Sequence, residues 1–294
     1  MDILLIPCWA RPEFLHHCLK NLAATGDLST VHVVFKPDTS FNPEILGVID
    51  TWMEHLPSYE VVTPKLARYR HSRQSSNLLE GYAYAASLTG GLVFMVEEDV
   101  MVANDFFRFH RDLHAKEKVF AALSVRNPNR QVFTDDDPEA YYLSSGDYCS
   151  LGVSMRPEVI QGMILPHKIE GYFRDPARYC RRHFPNSTLS DNFVEQDGLI
   201  RRIQGASTLP TAYPHVPRAF HAGFYGYNRR QFVQGNLTQR IERLDRTIYN
   251  PEAMLKASLS AAYYQDSQPI PLQITPWKQL TRKQPEGASL PTAS

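Results

Sequence analysis

Cysteine is scarce in this 294-residue chain: four residues, at positions 8, 18, 149 and 180. None sits in a Cys-x-x-Cys pair or at metal-finger spacing, which excludes a zinc finger and a disulfide-built scaffold and leaves reduced, mostly buried thiols. No apolar run approaches the roughly 20 residues that span a bilayer. The first apolar stretch, Ile3 to Ile6, is too short for the core of a secretory leader, so a cytoplasmic protein is expected. Excess charge is also missing. The 31 basic residues balance 31 acidic ones, which argues against a protein whose main task is coating nucleic acid. There is no Gly-x-Gly-x-x-Gly and no internal repeat, which removes a dinucleotide fingerprint and a solenoid. What is left, 43% hydrophobic and 21% charged, is ordinary globular composition, in a chain long enough for one large domain.

The most informative stretch that is present runs from Leu92 to Val100. Five apolar residues, Leu92-Val93-Phe94-Met95-Val96, lead into Glu97-Glu98-Asp99. The apolar run is short, Val- and Phe-containing and preceded by Gly90-Gly91, the pattern of a strand buried on both faces. Three acids at the end of such a strand are costly unless their charge is offset. At the carboxyl edge of an open α/β sheet, a divalent cation bridging to a diphosphate offers that offset. The plainer alternative is that the acids open a solvated loop and cap a helix predicted from Asn104 to Ala115.

Around this centre the pattern alternates strand and helix. Ile3–Ile6 reads as a strand, Glu13–Leu22 as a helix with Phe14, Leu15, Cys18, Leu19 and Leu22 on one face, and Val31–Phe35 as a second strand. Pro43–His55 is predicted to be a helix, Tyr59–Val62 a short strand and Ser75–Ser87 a helix of small residues that can lie close to a sheet. Val119–Val125 and Cys149–Ser154 read as strands, and 126–148 as an irregular stretch containing the solvated turn Asp135-Asp136-Asp137. Asp191–Arg201 holds a further acid pair, Glu195 and Asp197, at the start of a helix running to Gly205. Acids there are favoured by the helix macrodipole alone. One or two amphipathic helices, broken at Asn250-Pro251, are expected within 231–265, and a flexible tail over 266–294.

The string from Val96 to Phe107, with Glu97-Glu98-Asp99-Val100 followed by Val102-Ala103-Asn104-Asp105-Phe106-Phe107, resembles the metal-site segment of GT-A glycosyltransferases, nearest the N-acetylglucosaminyltransferase I type. In that family a strand runs into Glu-Asp-Asp and then Val-Ala-Pro-Asp-Phe-Phe; here Glu98 and Asn104 depart from it. The resemblance implies Asp99 as metal ligand with Glu97 and Glu98 close by. Arg11, in Arg11-Pro12-Glu13, falls on the family's diphosphate contact. Asp38, at a strand end, and Asn77, at a helix start, fall where the nucleotide base is held. Asp197 or Glu195 takes the place of the catalytic base. Pro214-His215-Val216-Pro217-Arg218 through Gly223 resembles a late family segment, Pro-x-Ile/Val-x-Arg and then Gly, that places Arg218 near the nucleotide and His221 on the metal. Read on its own residues, Arg11 is a loop arginine, Asp38 a turn residue after proline, and His221 a histidine among aromatics.

The expectation is therefore a single α/β domain over 1–265, GT-A-type, with a mostly parallel twisted sheet flanked by helices. Residues 1–125 form the nucleotide-sugar half and 126–230 the acceptor half. By resemblance, the reaction is transfer from a nucleoside-diphosphate sugar, UDP-linked, with manganese or magnesium and inversion. The acceptor stays open among a glycan, a lipid-linked sugar, a protein side chain and a hydroxymethylated DNA base. A pyrophosphorylase would need a Gly-rich loop where Pro7-Cys8-Trp9-Ala10-Arg11 stands, which counts against it. The rival of another class is a catalytically inactive module of the same design that binds carbohydrate or protein.

Overall fold

A chain that opens with Leu4, Ile6 and Cys8 alternating with Ile3 and Leu5 has apolar residues for both faces of one strand, and the fold uses both. The computed structural model describes residues 1–9, 11–38, 43–56, 58–125, 140–145, 148–221 and 278–279. In β1 (Asp2–Cys8), Leu4, Ile6 and Cys8 face one core and Ile3 and Leu5 the other. Strands buried on both faces are the mark of a sheet covered by helices on each side.

The first core lies under α1 (Pro12–Ala24) and α2 (Glu44–Trp52), with β2 (Val31–Pro37) contributing Val31, Val33 and Phe35. The second lies under α3 (Arg73–Leu88), which presents Leu78, Leu79, Tyr82, Ala85 and Ala86. A Cβ on Gly81 would stand 3.1 Å from both Leu5 methyls, so the small residues of α3 do let it lie close to the sheet. β3 (Tyr59–Val61) and β4 (Val93–Met95) complete a parallel set in the order β4-β1-β2-β3.

The other half is mixed. β8 (Val153–Met155) runs antiparallel between β4 and β6 (Ala121–Leu123); beyond lie β9 (Thr211–Pro214), β7 (Ala140–Ser144) and the two-residue β11 (Lys278–Gln279). α4 (Phe106–Lys116), α5 (Pro157–Val159, continued as irregular helix to His167), α6 (Glu170–Arg174), α7 (Pro176–His183) and α8 (Gln196–Ala206) surround it. A separate ribbon joins β5 (Val100–Val102) antiparallel to β10 (Ala219–His221). The architecture is thus α/β, as expected, with the parallel pairing concentrated in the first half. No helix among the described residues is long and apolar enough to cross a membrane.

Several expectations are corrected. The helix predicted from Asn104 starts at Phe106, because Asp105 takes the capping position and its carboxylate is held by Arg218 at 3.1 Å. Tyr141 and Tyr142, read as part of an irregular stretch, belong to β7, where Tyr142 pairs with Tyr213 of β9. Residues 170–183, given no element by the sequence pattern, form two helices, broken where Pro176 cannot continue the first. The turn at 135–137, the helices over 231–265 and nearly all of the tail lie outside the described residues.

Candidate active site

The parallel strands set the location. From β1 the chain moves outward through β2 and β3, then returns to the other side of β1 as β4. Outside the carboxyl ends of strands at such a reversal lies the usual ligand position in an open α/β sheet, and here the segments that follow β1 and β4 meet there. The loop after β1 brings Trp9 and Arg11; β4 ends in Glu97, Glu98 and Asp99.

Glu98 turns inward. One carboxylate oxygen accepts the Trp9 backbone N–H at 2.7 Å and the other accepts Arg11 Nε at 2.8 Å. With both oxygens engaged, Glu98 pins the β1–α1 loop instead of reaching a ligand. Arg11 also bonds Asp99 through Nη1, at the same Asp99 oxygen, Oδ2, that His221 Nε2 approaches at 2.8 Å. Burial works against the Arg11 charge, but Asp99 and Glu98 together raise its pKa. Burial likewise would raise Asp99, which is only 1% exposed; His221 and Arg11 outweigh it and hold the carboxyl at about 2. His221 reaches this point because the β5–β10 ribbon sets it opposite Val100, one residue past Asp99.

Glu97 faces the other way along the crevice. Its Oε1 lies 2.9 Å from the Ser150 hydroxyl, which also lies 3.1 Å from Asp197 Oδ2. Burial, then the nearby Asp99 and Asp197, push Glu97 up to about 7, and burial pushes Asp197 up to about 6. Asp197 stands in the first turn of α8, whereas Glu195 is its exposed capping residue with no side-chain bond to the helix. Of the two acids, Asp197 shares Ser150 with Glu97, while Glu195 stands exposed at the helix end. Two buried oxygens, Asp99 Oδ1 and Asp197 Oδ1, have no hydrogen-bond partner among the described residues.

The donor set tests whether a cation fits. No three His, Cys, Asp or Glu side chains among the described residues form a group that could hold an ion alone. Hard divalent cations such as magnesium, however, commonly take one or two carboxylates and complete their shell with substrate phosphates and water. Asp99, with a buried unpartnered oxygen, and His221 beside it suit such a partial site, and imidazole with carboxylate is acceptable to manganese.

The remaining residues divide. Asp38 ends β2 at the same sheet edge, buried, with Arg73 Nε 3.1 Å away. Asn77 is committed to Lys36: its Oδ1 accepts from Lys36 Nζ at 2.8 Å and its Nδ2 donates to the Lys36 carbonyl at 3.2 Å. Arg218 is not brought to the carboxylates. It is 2% exposed, pairs with Asp105, and lies over the Phe109 ring at 5.3 Å, so it fixes the ribbon and α4.

Sequence reasoning missed Ser150, Lys36 and Ser75. Ser75 Oγ accepts the Gln196 N–H at 3.0 Å and so caps α8 from α3, while the Tyr172 hydroxyl bonds the Val194 carbonyl at 2.9 Å. The one available signal was Gly152, whose φ of 68° marks a tight turn beside Ser150; a Cβ there would meet the Ala219 Cβ at 3.0 Å. Gly198 is demanded by a still closer approach, since its Cβ would fall 2.1 Å from the Phe193 carbonyl.

No protein-family profile matches this sequence, and no curated protein does. Among solved structures, S. aureus TarS residues 1–349 in complex with UDP-GlcNAc superposes with a TM-score of 0.49 at 12% identity, over 84% of this chain and 65% of that one. The mannosyltransferase PcManGT from Pyrobaculum calidifontis in complex with GDP-Man and Mn2+ gives 0.43 at 14% identity, over 89% and 70%. The galactosyltransferase LgtC in complex with donor and acceptor sugar analogues gives 0.44 at 10% identity, over 85% and 97%. This chain spans less than two thirds of the length of the TarS chain.

Proposed function

We propose that this chain is a cytoplasmic, metal-dependent glycosyltransferase that moves a sugar from a nucleoside-diphosphate donor, read as UDP-linked, to an acceptor hydroxyl with inversion. The observation that carries the reading is the convergence of Arg11, Glu97, Asp99, Asp197 and His221, from four separate segments, at the carboxyl edge of β1 and β4.

In this reading Asp38 and Arg73 mark the base-binding end, with Lys36 and Asn77 stiffening the floor beneath them. Arg11 stays charged at the diphosphate end because its two carboxylates favour the cation. Asp99 and His221 would hold manganese or magnesium; when bound, such an ion offsets charge on a departing diphosphate. Asp197 accepts the proton of the acceptor hydroxyl as its oxygen attacks the anomeric carbon and the carbon–phosphate oxygen bond breaks. A positioned base of this kind contributes typically about 10²–10⁴-fold. Ser150 orients it.

One observation favours a second reading. Asp99 is already engaged by Arg11 and His221, as it would be in an inactive module of the same design that binds carbohydrate or protein. Nucleoside-diphosphate release from UDP- and GDP-sugars with manganese separates the two. Turnover in the wild type that disappears in Asp99→Ala and in Asp197→Asn supports the enzyme. No release with any donor in wild type and Asp99→Ala alike supports the binding module.

A further inference from the structure

The chain is neutral overall, yet its charge is not evenly spread. Segments 65–73 and 168–195 carry nine Lys and Arg against four acids. Hydrogen bonds tie the two segments together. Arg68 Nη1 and the Tyr69 hydroxyl reach Glu170 at 2.7 and 2.9 Å, and the Ser72 hydroxyl donates to the Phe173 carbonyl at 2.6 Å. Tyr172 ties α6 to Val194, and Arg181 pairs with Asp191 at 3.2 Å, which joins the 190–195 loop to the same face. Three large apolar side chains stand out from these segments: Leu66, 88% exposed, Ile169, 44%, and Phe193, 37%. A single exposed leucine is ordinary; here Leu66 and Ile169 stand in the two basic segments that hydrogen bonds join, and apolar side chains interleaved with Lys and Arg are the composition of a membrane-interface surface.

We propose that this face docks on an anionic phospholipid bilayer, with Lys65, Arg68, Arg70, Arg174, Arg178 and Arg182 at the headgroups and Leu66 and Ile169 entering the acyl boundary. Charge complementarity alone would also fit a nucleic-acid strand. Two of the three exposed apolar side chains, Leu66 and Ile169, are aliphatic and weigh against it: a single strand is gripped by aromatic stacking, whereas exposed aliphatics gain from hydrocarbon. The face borders the crevice through the Arg73–Asp38 pair, but the inference does not depend on any catalytic role.

The test is co-sedimentation of the full chain with vesicles of phosphatidylcholine, with and without phosphatidylglycerol, and in parallel with a single-stranded oligonucleotide. Binding to the anionic vesicles only, weakened by salt, is expected. Each lysine or arginine near such a surface strengthens binding roughly fivefold. Arg70→Glu with Arg178→Glu should therefore abolish it, and Leu66→Ser should weaken it roughly tenfold, since each buried methylene adds to partitioning. Melting temperatures of both variants should match the wild type, because these side chains are exposed. No preference for anionic vesicles, indifference to Leu66→Ser, or tighter binding to the oligonucleotide than to the vesicles would each overturn the proposal.

Discussion

Ser150 has one proton to donate and two carboxylates within reach, Glu97 at 2.9 Å and Asp197 at 3.1 Å. A hydroxyl can donate to only one at a time, so the second contact is best made when that carboxyl carries a proton and donates back. Ser150→Ala should lower the turnover number about tenfold with little change in KM, and Ser150→Thr should restore most of it; equal losses in both variants would mean that bulk, not the hydroxyl, matters. Asp197 gives a second expectation. Burial holds its folded pKa near 6, above the ordinary carboxylate range. A raised folded pKa means that stability is fully present below the unfolded value, about 3.9, and is lost as pH rises through 6. Activity needs the deprotonated base, so the rate should climb through pH 6 while stability falls. Asp197→Asn should be inactive yet melt higher than wild type at pH 8, with the difference vanishing near pH 4, and thermal melts over that range check it. At this scale the resemblance of the 96–107 string and its islands pointed to Asp99, His221 and Arg11, whose side chains the structure brings into contact. It did not point to Ser150, because a serine two residues before a glycine has no pattern of its own and its contacts exist only once residues 97 and 197 meet.

Elements were legible where the pattern was local. β1, α1, β2 and α3 announce themselves by apolar spacing of two or near 3.6, and the structure places them within a few residues of the reading. β5 and β10 do not, since each is three residues long and pairs across more than a hundred positions, which no periodicity records. β7 was hidden for a similar reason, as its partner β9 lies some 70 residues on. α4 shows what a helix hides even when it is found. His110 places its two ring nitrogens 2.7 Å from the Ser154 and Ser124 hydroxyls, and His114 Nε2 lies 3.0 Å from Ser154, all buried. Burial pushes His110 well below its ordinary value and His114 down to about 4. For histidine a depressed folded pKa gives stability that is present above the unfolded value, about 6.5, and is lost as pH falls towards the folded one. The melting temperature should therefore drop between pH 7 and pH 4, and more steeply in wild type than in His110→Gln or His114→Gln. A wild-type curve that is flat over that range would show that these rings do not control the response.

For the whole molecule, the decisive feature is that the crevice belongs to no single half of the sheet. Arg11 comes from the parallel half; β8, with Ser150 just before it, inserts antiparallel next to β4; Asp197 enters on α8 and His221 on the ribbon. A ligand that bridges these groups couples segments that are far apart in sequence, and binding free energy adds to the stability of the folded state by mass action. At a donor concentration about a hundred times its dissociation constant the gain is about 2.7 kcal/mol. For a chain of this size each kcal/mol is worth about 2–4 °C in Tm. UDP-sugar with manganese should thus raise the melting temperature by about 5–10 °C, and chelation should remove most of the rise. Amide hydrogen exchange gives the sharper readout. Protection on binding should appear together in the β1–α1 loop, at the end of β4, in the first turn of α8 and in β10, because one ligand closes all four. Asp99→Asn should lose the protection in β10 first, since the His221 contact runs through that carboxylate. Protection confined to the parallel half would mean that the nucleotide binds without drawing in α8 and the ribbon, and the catalytic assignment of Asp197 would fall with it.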